Sequence, residues 1–312
     1  MGQGAATIIH YISHFRPPWH NERNVAEALA WHGYPVESYQ VDEPTDRPGC
    51  NGAPEVKPGD VVFTAVPQSI PVKDWQAWKD AGAKLACWYW DWIFGYANRD
   101  AEYTPALKLM DCVLSTDGFD STEYVKRGVD CRHWLPQGAM PEDRMLTSRH
   151  GTPQHDCVFI GHLKGYPDRA EMRRRLAAKW DFAVYGDYSR DGRRVWGREL
   201  VSILQSAKIT LGSNWRNDAP GYWSDRIYVT LNCGGFYLGQ YVPGLERYFK
   251  DGTHCGFFDG MADMERKVKW WLAHDAERER CRRAGHLLAR DRDTYIHRVS
   301  ELLEVWRRLG VV

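Results

Sequence analysis

The 312-residue chain has 43% hydrophobic and 26% charged residues, a composition typical of a folded globular protein, and its formal net charge is zero. A net charge of zero argues against nonspecific binding of polyanions such as nucleic acids. No apolar run approaches the ~18 residues that a membrane span needs, and the amino terminus lacks the features of a secretion signal. We therefore expect a cytoplasmic protein.

The charge is distributed unevenly along the chain. Residues 1–150 contain 14 basic and 20 acidic residues, whereas residues 151–312 contain 27 basic and 21 acidic residues. The second half is therefore suited to a small anion that is held locally. Eight cysteines are spread without any CxxC spacing, which favours reduced, buried thiols over disulfides or a zinc site.

Strands and helices alternate along the first half of the chain. Apolar, β-branched runs predict strands, and apolar residues at helical spacing predict helices. In chain order we predict a strand at 6–15, a helix from 21 that ends at Gly33, strands at 36–41 and 60–66, a helix at 72–83 and a strand at 84–92.

A second alternating run begins near residue 155. It predicts strands at 155–161, 181–186, 208–214 and 236–241, helices at 168–180, 195–207 and 222–235, and charged helices from Glu265 onward. We place a domain boundary in the polar stretch 141–154, which gives domains 1–150 and 151–312. Two such α/β domains with mostly parallel sheets bind ligands at the carboxyl ends of their strands and in the cleft between them.

Several common enzyme motifs are missing from the sequence. There is no Walker loop, GxSxG, HExxH or GxGxxG, so the corresponding enzyme classes have no motif support. The Asp291-Arg292-Asp293 triplet resembles a metal-binding DxD motif only in its letters, because it lies in a charged helical tail. We expect no metal site.

The second half contains a specific order of features. They are Gly161 after a strand, Arg169 at a helix start, Tyr185-Gly186, Asn214, Asp225-Arg226, Cys233-Gly234-Gly235 and Pro243-Gly244-Leu245-Glu246. Over roughly residues 155–300, this order resembles the C-terminal, donor-binding domain of the GT-B glycosyltransferases, specifically the CgeB-like branch of the group 1 superfamily. The first half resembles that family only in its βα layout and in "NVAEALAWHGYPV".

The resemblance implies a GT-B fold: two Rossmann-like βα domains that face each other across a cleft, with C-terminal helices. It implies transfer of a sugar from a nucleotide-diphosphate sugar, with a UDP-sugar as the favoured donor, to a hydroxyl acceptor. No metal or prosthetic group is required. Whether the sugar configuration is inverted or retained stays open, and we expect a monomer or a dimer.

The expected donor site lies in the second domain. A helix N-terminus and arginine both favour phosphate, so Gly161 with Arg169 and Arg226 fits the diphosphate, although a tight turn with surface arginines fits the same residues. The other expected donor-binding residues are Tyr185, Gly186, Asn214, Asp225, Gly234, Gly235 and Glu246.

The family's ribose-binding glutamate is missing from this chain. Aligned on Cys233-Gly234, its position is Val229. Asp225 lies one helical turn earlier on the same face and can accept the ribose hydroxyls instead. Cys233 itself reads as a small buried residue at a helix end rather than as a reactive thiol.

The expected acceptor side lies in the first domain. His14 and Asp91 each follow a strand and are candidates for the base that takes the acceptor proton, although His14 also fits a hydrogen-bonded structural role. Trp90 and Trp92 can stack on a sugar or base, or can pack in the core. Asp117 is a further acidic candidate, and capping of the next helix competes with that role.

The acceptor is open: a saccharide, a small molecule or a modified DNA base. Compact members of this fold in bacteriophages glycosylate hydroxymethylated DNA bases, so a hydroxymethylated pyrimidine is one candidate. The main alternative function is a noncatalytic nucleotide-sugar binding protein, which Val229 favours. A sugar-nucleotide epimerase of related fold is a more distant alternative.

Overall fold

The computed structural model describes residues 6–16, 21–41, 54–94, 99–140, 154–186 and 195–312. The chain divides into two compact units: residues 1–137 together with 295–312, and residues 138–294. Each unit is built on a parallel sheet with helices, so the predicted α/β fold class is confirmed. The boundary stretch predicted at 141–154 lies almost wholly outside the described residues.

The first unit contains a six-stranded parallel sheet of order β2-β1-β3-β4-β5-β6. Its strands are β1 (Ile9–Ser13), β2 (Val36–Gln40), β3 (Val61–Thr64), β4 (Lys84–Tyr89), β5 (Cys112–Ser115) and β6 (Arg132–Trp134). Its helices are α1 (Asn21–Trp31), α2 (Val72–Asp80), α3 (Arg99–Leu107), α4 (Thr122–Lys126) and, from the end of the chain, α10 (Tyr295–Leu309). The strands β1 and β3 are buried along their whole length, as expected for central strands covered on both faces.

The last helix belongs to the first unit rather than to the second. An apolar stripe that includes Val299, Leu302 and Trp306 is fully buried against the first sheet, and the Trp306 ring lies 5.1 Å from that of Phe63. His32 Nε2 is 3.0 Å from the carbonyl oxygen of Ile296. The expected domain 151–312 therefore differs from the structure in this helix, because its apolar face is covered by residues far away in sequence.

The second unit contains a five-stranded parallel sheet of order β11-β10-β9-β7-β8. Its strands are β7 (His155–Ile160), β8 (Phe182–Tyr185), β9 (Ala207–Gly212), β10 (Tyr237–Gln240) and β11 (Gly256–Phe258). Its helices are α5 (Pro167–Ala177), α6 (Gly197–Ser206), α7 (Arg226–Asn232), α8 (Gly260–Ala273) and α9 (Asp275–Arg292). The strand order reverses between β7 and β9, and ligands of such sheets bind outside the carboxyl ends of the strands at this point.

The helix α7 is shorter than the predicted 222–235. It begins at Arg226 because the preceding loop is held away from helical geometry by Asn214, whose Oδ1 accepts the backbone N–H of Ser224 at 2.9 Å. It ends at Asn232 with Cys233 as its C-cap, because Gly234 adopts a left-handed conformation (φ 77°) and donates its N–H to the carbonyl of Leu231.

The seven cysteines among the described residues are free thiols, and Cys50 lies outside that part of the chain. None of the described helices is both long and apolar enough to cross a membrane. Among the same residues, no cluster of three or more His, Cys, Asp or Glu side chains could hold a metal ion.

Candidate functional site

The candidate site lies at the carboxyl edge of β7 and β9 in the second unit. Gly161 follows β7 and donates its N–H to the carbonyl of Tyr185 at 2.8 Å. Its φ of 140° strongly favours glycine, and a Cβ there would lie 3.0 Å from Arg226 Nη2. The absence of a side chain at Gly161 therefore makes room for the Arg226 guanidinium.

Arg226 is fixed by backbone carbonyls at both neighbouring strand ends. Its Nε donates to the carbonyl of Ile160 at 2.8 Å and its Nη1 to that of Ser213 at 3.2 Å. Nη1 also donates to Ser224 Oγ at 3.0 Å, and the guanidinium lies 4.9 Å from the centre of the Phe159 ring. The side chain thus reaches the switch point in a single defined geometry.

Arg169 reaches the same place from the first turn of α5. Its side chain is 6% exposed, its Nη2 donates to the carbonyl of Ser213 at 3.1 Å, and its Nη1 donates to that of His162 at 2.9 Å. The guanidinium stacks 3.6 Å from the centre of the Tyr166 ring. Its Nε is buried and has no hydrogen-bond partner in the part of the chain that the structure describes.

The two arginines form a concentration of positive charge. Burial, together with the neighbouring Arg226 charge, lowers the pKa of Arg169 to about 10. Both guanidiniums donate to one carbonyl oxygen, and no carboxylate forms an ion pair with either of them among the described residues. A buried cation without a counter-ion is costly, so this arrangement favours a bound anion such as a diphosphate.

Tyr237 is a residue of this site that the sequence analysis missed. It begins β10, and its phenol lies over Gly212 of the neighbouring strand, where a Cβ would be 1.9 Å from the phenol oxygen. Gly239 is equally crowded by the same ring. The available signal was a pair of glycines inside adjacent strands, which often marks a close approach of another group.

Three predicted donor-binding residues lie in the loops that follow β9 and β10. Asn214 fixes the loop before α7, as described above, and Asp225 is the N-cap residue of α7, one turn before Val229. Glu246 lies in a short turn and accepts the N–H of Gly244 and the hydroxyl of Tyr241, each at 2.9 Å. The N–H groups of Glu246 itself and of Gly244 lower the pKa of this carboxyl, and the Tyr241 hydroxyl contributes to the same shift.

A cavity of about 370 Å³ lies beside Glu246, at the carboxyl ends of β10 and β11. Tyr241, Glu246, Asp251 and Lys267 are among the residues that line it. The loop that precedes α7 is joined to this region by the N–H of Gly221, which donates to the carbonyl of Pro243 at 3.0 Å. The loop that holds Asn214 therefore contacts the segment just before Glu246, and the residues that line the cavity all belong to the second unit.

Four other predicted donor-binding residues have different positions or roles. The Tyr185 hydroxyl lies 3.0 Å from His155 Nε2, at the opposite end of β7, so only its carbonyl supports Gly161. Gly186 has a φ of 77° and packs against Gly161. Gly234 and Gly235 lie at the far end of α7 and donate their N–H groups to carbonyls of that helix. The structure therefore does not bring these last two glycines to the arginines.

The predicted acceptor-side residues of the first unit occupy contrasting environments. Asp117 is buried and pairs with Arg132 at 3.1 Å, and it accepts the hydroxyls of Ser115 and Tyr124. Burial raises the pKa of its carboxyl, and the Arg132 charge opposes that rise. These contacts use both carboxyl oxygens, so Asp117 has a structural role here rather than an open position for an acceptor.

Asp91 and the tryptophans next to it follow β4. The Asp91 side chain is 48% exposed, its Oδ1 accepts the N–H of Trp92 at 2.8 Å, and Arg99 lies 3.4 Å from its Oδ2. Trp90 packs edge-on against Trp88 at 5.6 Å, and both Trp90 and Trp92 are partly buried. Asp91 is thus accessible to a ligand, whereas the Trp90 ring is largely part of the packing.

Glu22 is a second residue that the sequence analysis missed. It lies in the first turn of α1 beside the end of β1, is 5% exposed, and accepts the Ser13 hydroxyl at 3.3 Å. Burial raises the pKa of its carboxyl to about 7, and hydrogen bonds from its own N–H, from Ser13 and from the His14 backbone oppose that rise. The half-buried His14, predicted as a base, therefore has a protonatable carboxyl next to it.

Residues 168–304 match the family model described as "Glycosyl transferase-like", a segment that overlaps the predicted donor domain. No curated protein matches the chain in sequence.

Solved structures resemble the chain over nearly its whole length. Anabaena Alr3699/HepE in complex with UDP is similar with a TM-score of 0.63 at 12% identity, covering 97% of this chain and 100% of that chain. Sucrose-phosphate synthase from Thermosynechococcus elongatus gives 0.61 at 14% identity, covering 97% and 99%. An α1,3-fucosyltransferase with GDP-fucose gives 0.58 at 11% identity, covering 99% and 92%. The chain therefore has the GT-B fold, and its residues 168–304 match the glycosyl transferase-like family.

Proposed function

We propose that the chain is a glycosyltransferase that moves a sugar from a nucleotide-diphosphate sugar to a hydroxyl acceptor. The observation that supports this most directly is the pair Arg169 and Arg226, whose guanidiniums converge on the Ser213 carbonyl at the switch point of the second sheet. The leaving group of such a donor is a nucleoside diphosphate, whose charge two fixed guanidiniums stabilise as the sugar departs.

The donor is proposed to bind along the carboxyl edge of the second sheet. The diphosphate lies against Gly161, Arg169 and Arg226, and Asp225 at the start of α7 accepts the ribose hydroxyls in place of the residue at Val229. Glu246 binds the donor at the adjoining cavity. A UDP-sugar is the favoured donor; HepE was solved with UDP, and the fucosyltransferase with GDP-fucose, so both nucleotides belong in the test.

The acceptor hydroxyl needs a base to take its proton as its oxygen bonds to the sugar carbon. His14 and Asp91 are the proposed bases; each lies at the end of a strand of the first sheet, and Asp91 is half exposed. The proposed acceptors are a saccharide, a small-molecule hydroxyl and, for a CgeB-like phage enzyme, a hydroxymethylated pyrimidine in DNA.

A panel of UDP-, GDP- and TDP-sugars tests this proposal, with saccharides and hydroxymethylated DNA as acceptors. We expect release of one nucleoside diphosphate that rises when the right acceptor is added and that is lost in Arg226→Gln. Arg280→Gln, which changes an exposed arginine of α9, is the matched control and should retain activity.

The second candidate function is a nucleotide-sugar binding protein without turnover. Val229 favours it, because the family's ribose-binding carboxylate is missing at that position. If a donor binds tightly but no donor of the panel is hydrolysed or transferred, the glycosyltransferase proposal is overturned in favour of this binding function.

A further inference from the structure

The position of Tyr237 depends on two glycines in neighbouring strands. In the register of β9 and β10, Tyr237 pairs with Thr210, and Gly239 pairs with Gly212. A Cβ at Gly212 would lie 1.9 Å from the Tyr237 phenol oxygen, and one at Gly239 would lie 2.3 Å from a ring carbon. Both glycines are therefore needed for the ring to lie flat across the sheet.

This arrangement directs the phenol towards the two arginines. Its oxygen lies against Gly212, and the next residue is Ser213, whose carbonyl accepts hydrogen bonds from Arg169 and Arg226. The electrostatic influence of both arginines reaches the phenol, since each acts to lower the Tyr237 pKa while burial raises it overall. The hydroxyl therefore stays protonated at neutral pH and remains a hydrogen-bond donor.

The Tyr237 hydroxyl has no acceptor among the described residues of the chain. Tyr237 is 3% exposed, and no hydrogen bond to its hydroxyl is found within the described ranges of the chain. Its oxygen is not among the fully buried side-chain atoms that lack a partner, so it is open to water or to a ligand. The neighbouring guanidiniums only donate, so the acceptor most compatible with all three groups is an oxyanion.

We propose that the Tyr237 hydroxyl donates a hydrogen bond to a phosphate oxygen of the bound nucleoside diphosphate, beside Arg169 and Arg226. This inference rests on the proposed function for the identity of the ligand. It adds a neutral donor to the two cations, one that depends on Gly212 and Gly239 and therefore on this chain's own sequence.

Tyr237→Phe tests the inference, because the variant keeps the ring between the glycines and removes only the hydroxyl. Binding of UDP, GDP and inorganic pyrophosphate is measured by calorimetry in the full chain, with thermal unfolding as a check of the fold. A lost hydrogen bond to a charged group predicts roughly 10- to 100-fold weaker binding of the preferred diphosphate and of pyrophosphate, with an unchanged unfolding temperature. Tyr39→Phe, in the other unit, is the matched control and should bind as the wild type does.

A second variant tests whether the position of the Tyr237 hydroxyl, and not only its presence, matters for binding. Gly212→Ala places a methyl group where the phenol oxygen lies, so Tyr237 must move, and the diphosphate affinity should fall even though the hydroxyl is still present. If both variants weaken diphosphate and pyrophosphate binding, the inference is supported.

Two other results separate this inference from the proposed function. If Arg226→Gln weakens nucleotide binding and Tyr237→Phe does not, the inference is overturned and the function stands. If the wild type binds pyrophosphate in a Tyr237-dependent way but binds no nucleotide sugar, the function is overturned and the inference is supported as an anion contact. A wild type that binds neither ligand overturns both.

Discussion

Each unit of the protein buries an arginine near the carboxyl edge of its sheet, but the two arginines have different partners. Arg132 in the first unit pairs with the buried carboxylate of Asp117 at 3.1 Å and donates to backbone carbonyls of the same loop. Arg169 in the second unit is equally buried, but within the described part of the chain it meets carbonyls, two aromatic rings and another arginine.

The difference separates a structural charge from a charge that is available to a ligand. An ion pair whose members satisfy each other has little to offer a ligand, and removing one member leaves the other buried and uncompensated. Two neighbouring guanidiniums that donate to carbonyls keep an uncompensated positive charge, which a bound anion would neutralise. We therefore expect Arg132 to contribute to stability and Arg169 to contribute to ligand binding.

The largest expected effect is on the stability of the first unit. Arg132→Ala leaves Asp117 buried without its counter-ion, so we expect the free energy of unfolding to fall by about 3–5 kcal/mol. Chemical denaturation measures the loss. Lys126→Ala, which removes an exposed ion pair with Glu123, is the control and should cost less than ~1 kcal/mol. If Arg132→Ala loses no more free energy of unfolding than this control, Arg132 does not have the structural role described here.

The next effect is a pH dependence of the first unit. The Glu22 pKa is about 7 in the folded chain against an ordinary value of 4.5, so the folded state holds a proton that the unfolded state has lost between these values. The contribution of Glu22 to the free energy of unfolding is therefore fully present below about pH 4.5. It decreases by at most ~3 kcal/mol as the pH rises to about 7.

Glu22→Gln should remove this dependence, because the amide keeps the shape of the protonated carboxyl and does not titrate. Unfolding of both proteins near pH 5 and near pH 8 measures the effect, and Glu27→Gln on the exposed side of the same helix is the matched control. Equal pH slopes for the wild type and Glu22→Gln would show that this carboxyl is not the titrating group.

A smaller free-energy effect is expected on ligand binding by the second unit. Arg169→Gln should weaken binding of the preferred nucleoside diphosphate by roughly 50-fold, as expected for lost charge-assisted hydrogen bonds. Without ligand, the variant should lose at most ~1 kcal/mol of folding free energy relative to the wild type, because the repulsion between two cations is relieved. Arg280→Gln should leave both quantities unchanged. A destabilisation as large as that of Arg132→Ala would show that Arg169 is structural after all.

The contacts that the sequence could predict are those made at the ends of adjacent parallel strands. Gly161 and Arg226 are far apart in the chain, yet alternating strands and helices bring the ends of β7 and β9 to one edge, where both residues lie. Arg169 follows because a helix that comes after β7 begins at that same edge. These placements need only the βα order, which hydrophobic patterning reveals.

The missed features depend on register and on packing between distant segments. Tyr237 reaches Gly212 only because β10 pairs with β9 in one register, which the sequence pattern does not specify. The last helix covers the first sheet because its apolar stripe fits there, and no local signal distinguishes the two sheets as partners. Gly234 and Gly235 were expected at the ligand, but their N–H groups complete the end of α7 instead.

The smallest expected effect concerns Asp225, one helical turn before Val229. If Asp225 accepts the ribose hydroxyls, the wild type should bind UDP roughly fivefold more tightly than 2′-deoxy-UDP, since one hydrogen bond contributes about 1 kcal/mol. Asp225→Ala should bind both nucleotides equally weakly, whereas Val229→Ala should keep the preference. Competition calorimetry with the two nucleotides measures the ratio. A preference that survives in Asp225→Ala would leave the arginine pair in place and require another residue to recognise the ribose.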